Sequence, residues 1–260
     1  MKALRFTKMH GIGNDYVYVD CLSQHVANPE QLSVRVSDRH KGIGSDGLVL
    51  IMPSSIADFR MRIFNADGSE AKMCGNAARC IGKYVYEHGL TGKTSLTLET
   101  LSGIKQLHLN VENHKVVSVK VNMGVAKTHG RLTHSGKDFI LVDVGNPHAV
   151  CFVDSIADTD VATIGPQVEK AVEGGVNVEF VEVISNSELW LRVWERGSGE
   201  TMACGTGACA SVVAAITERY TDNHMLAHLA GGDLSIEQST DAVVYMTGPA
   251  TEVFTGEILV

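Results

Sequence analysis

The chain has 260 residues, of which 44% are hydrophobic and 20% are charged. This composition is typical of a folded protein with one large or two smaller domains, and it excludes a disordered or fibrous chain. The formal charge of −8 and the absence of a long Lys and Arg run argue against nucleic acid or an anionic membrane as partner. Small polar molecules remain as candidate ligands.

The sequence carries neither a secretory signal nor a run of 18 apolar residues, so we expect a cytoplasmic protein. Its six cysteines are too few for a disulfide framework, and in a reducing compartment they are expected to be free thiols. Each cysteine is then either part of the core or part of the chemistry.

Alternating and β-branched apolar runs predict strands along the whole chain. They lie at Val17–Val19, Leu48–Ile51, Leu96–Leu98, Val116–Val121, Ile140–Val144, Glu179–Val183 and Leu189–Val193. Only two segments predict helices longer than two turns. The first carries an apolar stripe from Ala77 to Val85, and the second, from about Thr206 to Arg219, is apolar on all sides, as a buried helix is.

An internal repeat divides the chain. FNADGSEAKMCGNAAR at residues 64–79 matches WERGSGETMACGTGAC at residues 194–209, which aligns Cys74 with Cys204. Two weaker pairs of blocks recur in the same order, residues 42–51 with 174–183 and residues 13–20 with 145–154. We infer two halves of similar fold, mostly β with one helix packed into or against the sheet, whose equivalent loops line one cleft.

The pair Cys-Gly stands at the start of each predicted helix, where free backbone N–H groups and the positive end of the helix dipole converge. Such a position favours a thiolate and also binds a carboxylate. If the two halves face each other, Cys74 and Cys204 flank the α-carbon of a bound amino acid. One thiolate then removes the α-proton and the opposite thiol returns another, which inverts the centre without a cofactor.

The remaining cysteines, Cys21, Cys80, Cys151 and Cys209, have no repeat partner of the same type and are interpreted as core residues. A redox dithiol is disfavoured because no Cys-x-x-Cys occurs, and a metal site is disfavoured because the 11 histidines are scattered. The two Gly-Ile-Gly segments, at residues 11–13 and 42–44, lack a third glycine at nucleotide-binding spacing and are interpreted as turns.

Several polar residues of the repeated loops are candidate ligands for a substrate with charges at both ends. Arg196 suits a distal carboxylate because its planar guanidinium binds carboxylates bidentately. The others are Asn14, Asn65, Asn146, His148, Asn177 and Glu195.

Taken together, KMHGIGNDYVYVD, NADGSEAKMCGNAARC, GNPHAV, VNVEFV and ERGSGETMACGTGAC resemble the signatures of the diaminopimelate epimerase family, in its order. The resemblance implies interconversion of LL- and meso-diaminopimelate for lysine and peptidoglycan precursors, without pyridoxal phosphate or another cofactor, with Cys74 and Cys204 as proton carriers. It also implies an α/β (α+β) fold of two pseudo-symmetric domains, each a mixed sheet or barrel around a central helix, with the active site between them.

We place these domains at residues 1–117 and 118–260, and the last strand is a candidate to pack back on the N-terminal half. The resemblance further implies a homodimer.

The catalytic residues that the resemblance implies in this sequence are Cys74 and Cys204, with His148 and Glu195 near the reacting centre. The reacting carboxylate would be held by Gly75, Asn76, Gly205 and Thr206, the distal carboxylate by Asn65, Asn146, Asn177 and Arg196, while Asn14 would line the pocket.

The sequence departs from the family pattern at Gly47, where some members carry Gln, and at Ala77, where many carry Gly. Neither change removes a catalytic group. A racemase for another amino acid, of histidine or proline type, is the alternative on the same scaffold. A thiol redox sensor or an amino-acid binding protein without turnover is the alternative from another functional class.

Overall fold

The computed structural model describes residues 3–259, within which lie 18 strands and four helices. The strands are β1 Ala3–Gly11, β2 Asn14–Asp20, β3 Gly47–Met52, β4 Phe59–Asn65, β5 Glu70–Ala71, β6 Ser95–Thr100, β7 Gly103–Glu112, β8 Lys115–Val125, β9 Lys127–His134, β10 Lys137–Asp143, β11 Pro147–Phe152, β12 Asn177–Ser185, β13 Glu188–Glu195, β14 Gly199–Thr201, β15 His224–Leu229, β16 Gly232–Gln238, β17 Val243–Gly248 and β18 Thr251–Leu259. The helices are α1 Pro29–Ser37, α2 Gly75–Glu87, α3 Val161–Ala171 and α4 Gly205–Thr217.

The chain folds into two compact units that divide between Val121 and Asn122, and the segment that begins at Gly248 belongs to the first unit. This division falls inside β8, the strand that also contains residue 117. The predicted fold class, a mixed α+β protein dominated by sheet, is confirmed.

In the first unit the strands follow the order β18, β1, β2, β3, β4, β6, β7, β8, with β5 beside β4. The pairs β2 with β3 and β4 with β6 are parallel, and the other pairs are antiparallel. Because β18 pairs with β1, the end of the chain completes the sheet that its beginning starts.

The second unit repeats this order with β9, β10, β11, β12, β13, β15, β16 and β17, and with β14 beside β13. Its parallel pairs, β11 with β12 and β13 with β15, occupy the equivalent places. The repeat seen in the sequence is therefore a repeat of strand order and strand sense. In this repeat, β9, which pairs with β10, is equivalent to β18, which pairs with β1.

The prediction of only two helices was incomplete, because α1 and α3 occur at equivalent places, between the paired parallel strands of each unit. Helix α1 has only nine residues and α3 contains Pro166, so neither gives a long apolar periodicity. Each packs on one face of its sheet. The resulting cores include Leu32, Val36, Leu48 and Phe64 in the first unit and Phe139, Val161, Val168 and Phe180 in the second.

Of the two predicted helices, α2 packs against β1, β7 and β18, and α4 packs against most strands of its own unit. Nearly all residues of α4 from Gly205 to Ala215 are buried. This burial explains why α4 is apolar on all sides. Within residues 3–259, no helix is both long enough and apolar enough to cross a membrane.

Candidate active site

In the first unit, Cys74 immediately precedes α2 with an extended backbone (φ −140°, ψ 120°), and its carbonyl accepts the N–H of Ala78 at 2.9 Å. The thiol is partly exposed. Gly75 and Asn76 form the first residues of the helix, so their N–H groups have no partner within it. The structure therefore places a partly exposed thiol beside a helix N-terminus that can bind a carboxylate.

Asn14 connects this thiol to a network of charged groups. Its Oδ1 accepts from Cys74 Sγ at 3.5 Å and from Asn76 Nδ2 at 3.2 Å, while its Nδ2 donates to Asp46 Oδ2 at 2.9 Å. Burial and the neighbouring Asp15 raise the pKa of Asp46, whereas Arg39, 3.1 Å away, opposes that rise. Asp46 was not predicted from the sequence. Because Asp46 accepts a hydrogen bond from Asn14 Nδ2, it orients the Asn14 amide so that Oδ1 faces the thiol.

In the second unit, Cys204 immediately precedes α4 and is buried. Its Sγ accepts the N–H of Gly207 at 3.3 Å and lies 3.5 Å from Thr206 Oγ1. Gly205 and Thr206 begin this helix as Gly75 and Asn76 begin α2. The two predicted half-sites therefore place their cysteine at the same backbone position before a helix, but the thiol of Cys204 is more buried than that of Cys74.

Burial raises the pKa of the Cys204 thiol well above its ordinary value, and the carboxylates of Glu195 and Glu179 raise it further. The hydrogen bonds from Thr206 and Gly207 lower it by less. At Cys204, burial and the two carboxylates therefore oppose the effect of the helix start.

Glu195 is the acceptor for that thiol, and it also accepts the hydroxyl of Thr201. Burial raises the pKa of Glu195, and the nearby charge of Glu179 adds to the rise. The bonds from Thr201 and Cys204 and the charge of His148 lower it in part. Glu195 and Cys204 therefore lie close enough to affect each other's pKa, and a catalytic role for Glu195 stays a prediction.

His148 is fully buried and lies between two oxygen atoms. Its Nδ1 is 2.7 Å from Glu179 Oε1, and its Nε2 is 3.1 Å from Asn146 Oδ1. Asn146 Nδ2 in turn donates to Thr206 Oγ1 at 3.3 Å. Three predicted site residues, Asn146, His148 and Thr206, are thus joined within one unit, and the fully buried Glu179 is an addition that the sequence interpretation missed.

Asn177 and Arg196 form a second group in the same unit. Asn177 Oδ1 accepts the backbone N–H of Arg196 at 3.0 Å, and its Nδ2 donates to Pro147 O at 3.0 Å. Arg196 Nη1 donates to Gly174 O at 2.7 Å while the side chain remains exposed. The guanidinium is held from one side and retains N–H donors for a ligand.

Asn65 lies at the end of β4 in the first unit, where its Nδ2 donates to Ser69 Oγ at 3.0 Å. The backbone carbonyl of Asn65 accepts the buried hydroxyl of Ser33 at 2.7 Å, which anchors the loop to α1. Gly47 pairs with Asn65, and a Cβ on Gly47 would lie only 2.0 Å from Phe64 O. A glutamine at position 47 would therefore require the backbone to shift.

Strand register corrects one detail of the repeat. Tyr16 pairs with Gly47 in the first unit, and His148, the repeat partner of Tyr16, pairs with Asn177 in the second. Gly47 is therefore equivalent to Asn177, whereas the sequence blocks had aligned it with Glu179. The repeat partner of Glu179 is then Val49, and only the second unit has a buried charge at this place.

Gly207 leaves space for the buried carboxylate of Glu179 because it has no side chain. A Cβ on Gly207 would lie 2.7 Å from Glu179 Oε1 and 3.2 Å from Cys204 Sγ. We expect Gly207→Ala to lower the free energy of unfolding by about 1–3 kcal/mol through overpacking. The reverse change at the equivalent position, Ala77→Gly, should cost only about 0.5–1 kcal/mol. Urea denaturation measures both, and a cost for Gly207→Ala no larger than for Ala77→Gly would contradict the packing.

The other thiols are partly or fully buried. Burial raises the pKa of Cys21 and of Cys80 to about 11 and also raises that of Cys151. Cys151 belongs to the core of the second unit, and Cys209 is fully buried in α4. In the part of the chain that the structure describes, no group of three His, Cys, Asp or Glu side chains is placed to hold a metal ion.

Comparison with known proteins decides the family. The sequence profile of "Diaminopimelate epimerase" matches residues 6–129 and 140–253. A diaminopimelate epimerase of Methanococcus maripaludis strain C6 is 50% identical over 275 residues, covering 98% of this chain and 99% of its own. Another, of Phocaeicola vulgatus, is 52% identical over 274 residues, covering 98% of each chain. The chain belongs to the diaminopimelate epimerase family.

Solved structures share the fold at low sequence identity. A PhzF-family phenazine biosynthesis protein of Bacillus anthracis has a TM-score of 0.80 at 17% identity, with all of both chains covered. A hydroxyproline epimerase of Agrobacterium vitis has a TM-score of 0.77 at 14% identity, covering 99% of this chain and 91% of its own. Family membership makes this chain an isomerase, and its fold is shared with these two structures.

Proposed function

We propose that this chain epimerises LL-diaminopimelate to meso-diaminopimelate, with Cys74 and Cys204 as the two proton carriers. The observation that carries the proposal is the repeated placement of each thiol directly before a helix whose first N–H groups have no partner within that helix. The family relationship supplies the substrate. The reaction serves lysine and peptidoglycan precursor synthesis, and it requires no pyridoxal phosphate.

The hard step is removal of a weakly acidic α-proton. A thiolate takes this proton, and negative charge moves onto the α-carboxylate. The N–H groups of Gly75, Asn76, Gly205 and Thr206 would hold that carboxylate, and fixed donors of this kind each contribute about 3–4 kcal/mol to transition-state stabilisation. The second thiol then gives its proton to the opposite face of the carbon, which completes the inversion.

The electrostatics of the second half-site favour the thiol form of Cys204, because burial and two carboxylates raise its pKa. As a thiol, Cys204 donates the proton for the isomer whose α-proton faces Cys74. After donation its thiolate is stabilised by the Thr206 hydroxyl and the Gly207 N–H. Glu195 lies beside this centre and raises its pKa, and His148 is the second residue that we propose to act near it.

The distal end of the substrate is assigned to a polar set of residues that includes the exposed guanidinium of Arg196. These residues are Asn65, Asn146, Asn177 and Arg196, with Asn14 lining the pocket. A carboxylate is their fitting ligand, since amide N–H groups and a guanidinium all donate hydrogen bonds to it. Recognition of both ends would select diaminopimelate over amino acids with one carboxylate. We further propose that the enzyme is cytoplasmic and acts as a homodimer.

The test is α-hydrogen exchange in D₂O with a panel of substrates. We expect deuterium at one α-carbon of LL- and of meso-diaminopimelate, and none in histidine, lysine or proline. Label in histidine or proline but not in diaminopimelate would identify a racemase for another amino acid. No label in any compound, despite measurable binding of diaminopimelate, would identify a binding protein or thiol sensor and overturn the proposal.

A further inference from the structure

The carboxylate of Glu169, on helix α3, bridges two residues of a loop in the second unit. Its Oε2 accepts the indole N–H of Trp194 at 2.7 Å, and its Oε1 accepts the backbone N–H of Gly197 at 3.1 Å. Between these two donors in the sequence stand Glu195 and Arg196, which both belong to the proposed site. One carboxylate from outside that site therefore holds the chain on both sides of two site residues.

The face of α3 that carries Glu169 also receives the ring of Trp194. Gly165 lies one helical turn before Glu169, so both residues face the same side of the helix. A Cβ on Gly165 would lie only 2.6 Å from Cγ of Trp194, so a side chain at this position would displace the ring. The ring packs against the core of the second unit, to which α3 contributes Val161 and Val168. Packing and hydrogen bonding together fix Trp194 on this helix.

The side chain of Arg196 is held by the segment that follows the same helix. Its Nη1 donates to the carbonyl oxygens of Gly174 at 2.7 Å and of Gly175 at 3.3 Å. Gly175 has a φ of +76°, and a Cβ there would lie 2.7 Å from Cδ of Arg196, so backbone and side chain approach closely. The position of the guanidinium therefore depends on how residues 194–197 lie against α3 and the segment after it.

The first unit anchors its equivalent loop at the same place with a different group. The repeat relates Trp194 to Phe64 and Glu195 to Asn65. The hydroxyl of Ser33, on α1, lies 3.1 Å from the carbonyl oxygen of Phe64 and 2.7 Å from that of Asn65. In both units a short helix thus holds a loop that carries a proposed ligand of the distal carboxylate. The anchor is a hydroxyl in the first unit and a carboxylate in the second.

We propose that Glu169 is a positioning residue for the distal carboxylate of the substrate: it holds residues 194–197 against α3 and so sets the place of the Arg196 guanidinium. The inference rests on the proposed function, because it requires Arg196 to bind that carboxylate. The reacting centre has separate support, since the side chain of Glu195 accepts the hydroxyl of Thr201. Loss of Glu169 should therefore weaken substrate binding more than it slows proton transfer.

The hydrogen bond itself is tested by ¹⁵N NMR of tryptophan-labelled protein, which needs no turnover. The chain has two tryptophans, and the indole signal that disappears in Trp190→Phe belongs to Trp190. We expect the indole N–H of Trp194 to exchange with solvent at least about tenfold faster in Glu169→Ala than in the wild type, because the bond protects it. Equal exchange rates in the two proteins would overturn the proposal.

Steady-state kinetics with LL-diaminopimelate test the effect on binding. Glu169→Ala should raise KM about 5- to 10-fold, the size of effect that one or two net hydrogen bonds give, and change kcat by less than about twofold. Glu169→Gln retains one acceptor oxygen and should give an intermediate KM. The matched control is Glu173→Ala, which removes an exposed carboxylate of the same unit and should keep the wild-type KM. A fall in kcat at unchanged KM in Glu169→Ala would overturn the proposal.

A double substitution separates positioning of Arg196 from a general role in the fold. In the Arg196→Ala background, we expect Glu169→Ala to raise KM by less than about twofold, because residues that act through each other are not additive. An equal increase in the wild-type and Arg196→Ala backgrounds would overturn the proposal. Absence of α-hydrogen exchange in the wild type would instead contradict the proposed function.

Discussion

Replacement of either proton carrier is expected to abolish epimerisation. We expect Cys74→Ala and Cys204→Ala each to lower kcat at least about 1,000-fold, since a positioned acid or base contributes roughly 10²–10⁴-fold and no neighbouring thiol replaces either sulphur. The loss should be seen in both directions, because inversion needs one group to take a proton and another to return one.

The measurement is conversion and α-deuterium incorporation in D₂O, starting from LL- and from meso-diaminopimelate. Cys21→Ala and Cys151→Ala are the matched controls in the first and second units, and both should keep wild-type rates because burial raises the pKa of each thiol. Exchange that survives both single substitutions at Cys74 and Cys204 would disprove the two-thiol mechanism.

The second large effect concerns recognition of the distal carboxylate. We expect Arg196→Ala to lower kcat/KM for diaminopimelate about 10- to 100-fold, mainly through KM, because a charge-assisted hydrogen bond contributes about 1.5–3 kcal/mol. The structure supports this role, since Asn177 and the carbonyl of Gly174 hold the residue in place while its side chain stays exposed. Arg196→Lys should retain an intermediate activity, because lysine keeps the charge but loses the planar fork.

Arg131→Ala is the control for this prediction, because Arg131 pairs with Glu218 and lies outside the proposed site. It should leave KM unchanged. The assay is steady-state kinetics together with a competition experiment against lysine, which lacks the second carboxylate. If Arg196→Ala lowers kcat while KM stays at the wild-type value, Arg196 acts on the reacting centre and the assignment of the distal carboxylate is wrong.

Local patterns in the sequence were sufficient for the repeat, the paired Cys-Gly helix starts and most strands, because each depends on residues close together in the chain. Helices α1 and α3 were missed for the same reason. One has nine residues and the other contains Pro166, so their stability comes from packing on a sheet and not from their own periodicity. Strand register also corrected the alignment of one repeated block by two residues.

The sequence by itself determined which two cysteines are equivalent, and the comparisons agree with the family that its motifs resemble. Only the tertiary structure decided what surrounds each thiol. Asp46 reaches Asn14 from 32 residues away, and Glu179 reaches His148 from 31 residues away, contacts that no local pattern specifies. Burial strengthens the effect of Asp46 and Glu179 on these neighbours, because a carboxylate removed from water interacts more strongly with the groups around it. That is why two half-sites with the same Cys-Gly motif differ in charge.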